Sequence, residues 1–441
     1  MNNVIGNFEI SDEAACDPAV APSLAFDDSN QGPQEVNPGA FIIEYLHDLM
    51  DRAEYADICK LAESLLENYP DSYLVREIIG SCHLHQGNHM EAIADLITAK
   101  DKLQQHAEQS AVDWRHYFVI CNKLGVAYKE LGLFDQSEHW LNEAKASEFV
   151  KSDVFNNLGT LELERGNTSL AKSYFVRSFQ ANPKNRQAIW NLHSTAACLD
   201  EAIVYLKSLL EADPLDENVI LYLAHYLSRQ GDTGHFDTIC YNGIKDNPVY
   251  DSIRFLHEHA GDAKLFFNRW ELFSYVTELS VKSRAFYEFG VWRGTSFNYL
   301  ASHFDHAFGF DTFTGLPERW GKIPMGTYSN EGGLPSIQKG ELVVGNFADT
   351  LPAFFAEKGR LAGLVNFDAD LYSSTLCALD HLVGWMDDKT ILVFDEFIIN
   401  KTWRDDEYKA LVEICSRERV RFQIIAYSLF TKQVACRLKF S

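Results

Sequence analysis

Three glycine pairs with a shared spacing constrain this chain more than any other feature. Gly80 and Gly87, Gly125 and Gly132, and Gly159 and Gly166 sit in the similar frames IIGSCHLHQGN, KLGVAYKELGL and NLGTLELERGN. Gly159 follows Gly125 by 34 residues, and Pro248 follows Pro214 by the same distance. Pro70 and Pro183 close further units, and small residues recur inside the second half of each, at Ala92, Ala99, Ala171 and Ala202. A unit of this length predicts a helix–turn–helix. Its small residues let the paired helices approach, its proline ends the second helix, and its apolar face is buried only when units stack.

The pattern resembles the tetratricopeptide repeat over about residues 39–251, with about six units, the first and last degenerate. The resemblance implies an all-α solenoid with a concave surface for a peptide or protein partner. The segment DKLQQHAEQSAV, residues 101–112, is expected to lengthen one connection. Asn157 and Asn191 share one repeat position, with Lys123 a unit earlier. Such a row either grips an extended peptide backbone, as in some arrays of this kind, or is an ordinary solvated helix face.

A chain of 441 residues is too long for one ordinary core, so two domains are expected. Its formal net charge of -24 argues against a nucleic-acid partner held through phosphates and against anionic membrane surfaces. The nine cysteines are scattered without a CxxC pair, which suits a reduced, cytoplasmic compartment. Residues 1–38 read as a disordered acidic tail without a secretory leader. No apolar run approaches the ~20 residues of a membrane span.

From about residue 284 the pattern alternates short β-rich runs with amphipathic ones. The expected strands are AFYEFGV, HAFGFD, ELVVG, LAGLVNFD, KTILVFDEF, RFQIIAYS and QVACRLKF. Alternation implies a parallel sheet with right-handed crossovers. The last two strands are separated by so few residues that they must pair antiparallel. The expected architecture is therefore α plus α/β in two domains: an all-α repeat solenoid, then a mostly parallel seven-stranded Rossmann-like sheet over residues 284–441. Residues 252–283 are expected to form a helical linker between them.

Ligands of open α/β sheets bind beyond the carboxyl ends of the strands. The first such end is YEFGVWRGTS, where Glu288 can accept hydrogen bonds and Gly290 and Gly294 flank the turn into a helix. The spacing is ExGxxxG, so the GxGxxG dinucleotide fingerprint is absent. Asp311 follows the second strand, where an acidic residue reads ribose hydroxyls or merely caps a helix. After the third strand, Asn346 and Phe347 are placed to frame an adenine. Asp368 and Asp370 end the fourth strand, and Asp395 and Glu396 the fifth. Neighbouring strands would bring these four carboxylates to one edge, with no Lys or Arg in either motif to neutralise them. Hard oxygen donors suit Mg²⁺.

In order, the runs EFGVWRGTS, FDTFTGLPE, GNFADTLP, NFDADLYSST and FDEF resemble the macrocin-type O-methyltransferases over about residues 286–397. These are class I, S-adenosylmethionine-dependent enzymes that methylate sugar hydroxyls. The resemblance implies a cofactor site around Glu288, Gly290, Gly294, Ser296, Asp311, Asn346 and Phe347. It implies a divalent metal, Mg²⁺ or another, on Asp368, Asp395 and Glu396, where the family's usual second Asp is here Glu396. Asp370 is the implied base, with Asp368 beside it in the catalytic set. The acceptor would be a sugar, free or carrier-linked, recruited by the repeats. Residues 318–340 lack a regular period and are expected to form a lid. His381 reads as structural, and His303 and His306 as lying at the opposite end of the sheet. The alternative reading is a repeat scaffold whose methyltransferase domain is degenerate; a nucleotide-sugar or dinucleotide enzyme is a third.

Overall fold

The computed structural model describes residues 38–52, 54–108, 111–242, 247–321, 323–330 and 332–440. All of the expected acidic tail except Pro38 lies outside them. The described residues hold six successive helix pairs, from Ala40–Asp51 to Gly234–Asn242, followed by helix Pro248–His259. They fall into two compact units. One runs to Glu164 and takes in Ser173–Asn185; the other comprises Arg165–Lys172 with Arg186 onward.

The two glycines of each repeat frame have separate duties. A Cβ on Gly80 would lie 2.7 Å from Leu96 Cγ, on Gly125 2.5 Å from Leu141 Cγ, and on Gly159 2.4 Å from Phe175 Cε1. These glycines admit a large side chain of the partner helix. Gly87, Gly132 and Gly166 instead have φ of 79°, 66° and 83°. They turn the chain out of the first helix, a conformation that glycine adopts without a Cβ penalty. The segment read as a longer connection is mostly helix: His89–Ala107 runs on through DKLQQHA. The shared repeat position is not an open row in the first unit. Asn157 Nδ2 donates to Asn122 Oδ1 at 2.9 Å, and Lys123 Nζ to buried Glu77 Oε1 at 2.9 Å.

The second unit is built on one sheet. Its strands are β1 Lys264–Phe266, β2 Ala285–Phe289, β3 His306–Asp311, β4 Glu341–Val344, β5 Ala362–Phe367, β6 Ile391–Phe394, β7 Arg421–Ser428 and β8 Val434–Lys439. Their order is β1-β7-β8-β6-β5-β2-β3-β4. Only β8 runs antiparallel to its neighbours, β6 and β7. The sheet therefore has eight strands rather than seven. The extra one lies in the segment expected to be a helical linker, where three residues pair in parallel with Ala426–Ser428. So short a strand gives little periodic signal, and its pairing partner is about 160 residues away. Pro248 likewise does not close a repeat. It opens helix Pro248–His259, with Asn247 Oδ1 capping Val249 N at 2.9 Å.

Helices from Arg186 to His259 share one apolar core with the sheet. His225 Nε2 meets Tyr427 Oη at 2.8 Å, and Tyr222 Oη donates to Leu429 O at 2.9 Å. Phe255 packs its ring against Phe397, Trp403 and Tyr408. The last helices that the 34-residue spacing assigns to the repeats thus support the segment that follows β6.

Candidate functional site

The carboxyl ends of β2, β3, β4 and β5 surround a cavity of about 420 Å³. Gly290 lines it with φ 89°. A Cβ there would lie 1.9 Å from Asp368 O, so only glycine lets the ends of β2 and β5 approach this closely. Asp311 binds the β2 turn from across the sheet. Its Oδ2 accepts from Val291 N at 2.8 Å and Trp292 N at 2.7 Å, and its Oδ1 from Phe313 N at 2.7 Å. A carboxylate oxygen has two acceptor directions, so Oδ1 retains one for a ligand hydroxyl. Asn346 and Phe347 close the β4 side, and Trp292 and Tyr328 also line the cavity. The indole Nε1 of Trp292 is a buried donor without a hydrogen-bond partner.

Gly290, Asp311, Asn346, Phe347, Asp368 and Asp370 line this cavity, whereas Glu288, Gly294, Ser296, Asp395 and Glu396 are not in its wall. Glu288 lies beneath it, fully buried. Ser296 Oγ donates to its Oε1 at 2.5 Å and Asn366 Nδ2 at 3.0 Å, while Oε2 has no partner. Burial, then the charge of Asp368, holds its carboxyl well above the usual range. Asn366 escapes a reading of the sequence because it is one polar residue inside an apolar strand. Gly294, φ 77°, only starts the helix Thr295–Ala301. His306 begins β3, at the opposite end of the sheet, and His381 Nδ1 bonds Cys377 O.

The register Phe367↔Phe394 puts Asp368 and Asp395 on adjacent strand ends. Beside them are Asp370, Glu396 and Glu407, all buried. Glu407, the first residue of helix Glu407–Glu418, is a fifth carboxylate that strand-end reasoning does not reach. Its Oε1 is buried without a partner. Burial, and then the neighbouring carboxylates, raises Asp370 and Glu407 well above the ordinary range and Asp368 to about 6. Neither motif contains a Lys or Arg, but basic residues distant in sequence reach the cluster. Arg269 Nη2 lies 3.5 Å from Asp395 Oδ2. Lys432 Nζ forms an ion pair with Glu396 Oε2 at 3.2 Å. Gln433 Nε2 donates to Asp395 Oδ1 at 2.5 Å.

In kind, the donor set fits a hard divalent cation. It is all oxygen, holds four buried carboxylates and the half-buried Asp368 against two cationic side chains, and includes the unpartnered Glu407 Oε1. In placement it is not closed around one point. Among the described residues no three His, Cys, Asp or Glu side chains stand together as a metal site. The convergence expected of Asp368, Asp395 and Glu396 is therefore partial, because Arg269, Gln433 and Lys432 engage the oxygens of the β6 pair.

The described residues between Thr312 and Gly340 contribute Thr312, Gly315, Leu316, Pro317 and Tyr328 to the cavity wall and are held by turn contacts. Asn330 N and Gly332 N donate to Phe313 O, Asn330 Nδ2 donates to Trp292 O at 2.6 Å, and Ser373 Oγ donates to Glu318.

No protein-family profile matches the chain, and no curated protein sequence matches it. Among solved structures, TTC0263, a thermophilic TPR protein of Thermus thermophilus, is similar over 42% of this chain and 97% of its own, at 18% identity and TM-score 0.37. The calicheamicin methyltransferase CalS11 is similar over 54% of this chain and 91% of its own, at 21% identity and TM-score 0.32. The O-methyltransferase NovP is similar over 39% and 81%, at 16% identity and TM-score 0.30. Likenesses at this level carry no inference about function. No helix among the described residues is long and apolar enough to cross a membrane.

Proposed function

We propose that this chain is an S-adenosylmethionine-dependent O-methyltransferase acting on a hydroxyl of a sugar or of a glycosylated or carrier-linked acceptor. The observation that carries the reading is the cavity at the strand ends, where a glycine-only approach at Gly290 meets Asp311 on one side and Asp368 and Asp370 on the other. S-adenosylmethionine, when bound, supplies a methyl group on a sulfonium. Asp311 Oδ1 binds a ribose hydroxyl through its remaining acceptor direction. Asn346 and Phe347 hold the adenine, and the Gly290 turn passes beneath the amino-acid end. Glu288 and Ser296 lie outside the cavity wall and support it: Ser296 Oγ donates to Glu288 Oε1, which ties the end of β2 to the helix after the turn, and Asn366 ties Glu288 to β5.

The acceptor hydroxyl is oriented by the acidic edge, and Asp370 takes its proton on a carboxylate oxygen as the oxygen–methyl bond forms and the sulfur–methyl bond breaks. Burial makes Asp370 a stronger base than an exposed aspartate once it is deprotonated. Asp368, Asp395 and Glu396 would hold a divalent cation, which supplies Lewis acidity toward the acceptor oxygen. Residues 318–340 act as the lid that excludes water. The helical repeats bind a peptide or protein partner or the carrier of the acceptor, in a cytoplasmic setting.

Calorimetric titration with S-adenosylmethionine tests this reading, with NAD as a control ligand. Binding of the first but not the second, lost in Asp311→Ala, is expected. Protease cleavage within residues 318–340 is expected to slow on addition of S-adenosylhomocysteine. Failure of S-adenosylmethionine to bind refutes the enzyme and leaves the repeat scaffold.

A further inference from the structure

Two segments meet at the cavity wall, the turn after β2 and the chain after β3, and both hold bulky residues in a strained backbone. Trp292, Phe313 and Tyr328 have φ of 47°, 57° and 69°, the left-handed region that large side chains rarely enter. Such a conformation persists only where its surroundings fix it. Here Trp292 N donates to Asp311 Oδ2 at 2.7 Å, Asn330 Nδ2 to Trp292 O at 2.6 Å, and Asn330 N to Phe313 O at 3.0 Å. The Arg293 guanidinium lies over the Trp292 indole, 5.2 Å from its centroid, and the Tyr328 ring meets the indole edge-on at 6.3 Å.

Three polar atoms of this cluster are buried without a hydrogen-bond partner: Trp292 Nε1, Arg293 Nε and Asn330 Oδ1. Each such atom is destabilising while it stays unpaired. Burial pulls the Arg293 guanidinium below its ordinary range, with no neighbouring carboxylate among the described residues to offset it. Two of the atoms are donors and one is an acceptor. An α-amino acid carries the complementary set, a carboxylate that only accepts and an ammonium that only donates. A phosphate would leave Asn330 Oδ1 unpaired, and a neutral hydroxyl would leave the guanidinium charge uncompensated. Trp292 stands in the same cavity wall as Asp311, so the cluster adjoins the place given above to the ribose.

We propose that this cluster receives the α-amino-acid end of S-adenosylmethionine, with Trp292 Nε1 and Arg293 taking its carboxylate and Asn330 Oδ1 its ammonium. The left-handed turn at Trp292 is what brings indole and guanidinium to one place. This rests on the methyltransferase reading above.

The test is calorimetric titration of the full chain with S-adenosylhomocysteine and with 5′-methylthioadenosine, which keeps the nucleoside and thioether but has no amino-acid end. It is run on the unaltered protein, on Trp292→Phe, which keeps a ring and loses the donor, and on Arg293→Met. The unaltered protein is expected to bind S-adenosylhomocysteine about tenfold or more tightly than 5′-methylthioadenosine. In each variant S-adenosylhomocysteine is expected to weaken about tenfold or more, the worth of one charge-assisted hydrogen bond, while 5′-methylthioadenosine stays within about twofold. A ratio of the two affinities unchanged in both variants overturns this inference and leaves the methyltransferase reading standing. Equal binding of the two ligands by the unaltered protein overturns it without any variant, so the decision survives a variant that fails to fold. Binding of neither ligand by the unaltered protein overturns the methyltransferase reading and this inference with it.

Discussion

Replacing Gly290 by alanine tests the close approach on which the cofactor pocket depends. Two costs add. A Cβ at φ 89° is strained by of order 1–3 kcal/mol. The same Cβ meets a backbone oxygen, Asp368 O, at 1.9 Å, and no side chain can rotate to relieve it. Overpacking of this kind costs roughly 1–3 kcal/mol more. Gly294→Ala is the control, because Gly294 also has positive φ, 77°, but its nearest neighbour would be Pro335 Cβ at 3.4 Å. Only the first cost applies there. At about 2–4 °C per kcal/mol for a unit of this size, Gly290→Ala is expected to unfold at least ~2 °C below Gly294→Ala. It is also expected to lose S-adenosylhomocysteine binding, because the ends of β2 and β5 must separate. Thermal unfolding and calorimetric titration read both effects. Equal unfolding temperatures with retained binding would refute the reasoning.

Glu288→Gln replaces a carboxyl that is buried with one unpartnered oxygen and whose proton is held well above pH 4.5. The penalty for ionising Glu288 is absent below pH ~4.5 and grows as pH rises toward the folded value, so the variant's melting temperature should gain on the unaltered protein over that rise. A difference that does not change with pH would contradict this. In the repeats, Glu77 is held at about 2, against its own burial, by Lys123 and His116. Lys123→Met is expected to cost roughly 2–4 kcal/mol, below the ~3–5 of a fully buried pair because Lys123 is partly exposed. The cost should shrink as pH falls from about 4.5 toward 2, where Glu77 protonates; urea unfolding across that range decides. Tyr427→Phe leaves buried His225 Nε2 without its 2.8 Å partner and is expected to cost about 1–3 kcal/mol in the same assay. A loss under about 0.5 kcal/mol would show that water replaces the bond.

Much of the architecture was legible because it is periodic. Recurring glycines, prolines and small residues fix a helical repeat, since helix contact distance depends on side-chain size at a few positions. Seven β-rich runs with apolar interiors mark seven strands, and the residue at each strand's carboxyl end is at the ligand edge whatever the tertiary details. That is why Gly290, Asp311, Asn346, Phe347, Asp368 and Asp370 could be picked out from strand ends and do line one cavity.

What the tertiary structure alone decided comes from contacts without local signal. The edge strand Lys264–Phe266 is three residues long and owes its existence to β7. The helices from Arg186 onward share the sheet's core, although their spacing matches the repeats, because period reports how a helix packs on its neighbour and not which core it joins. The partners of the strand-β6 carboxylates are likewise distant in sequence: Arg269, Lys432 and Gln433 reach them from a helix and a turn that no motif links to that strand. Charge pairing across a buried site is set by three-dimensional distance and desolvation, and neither is written in sequence spacing.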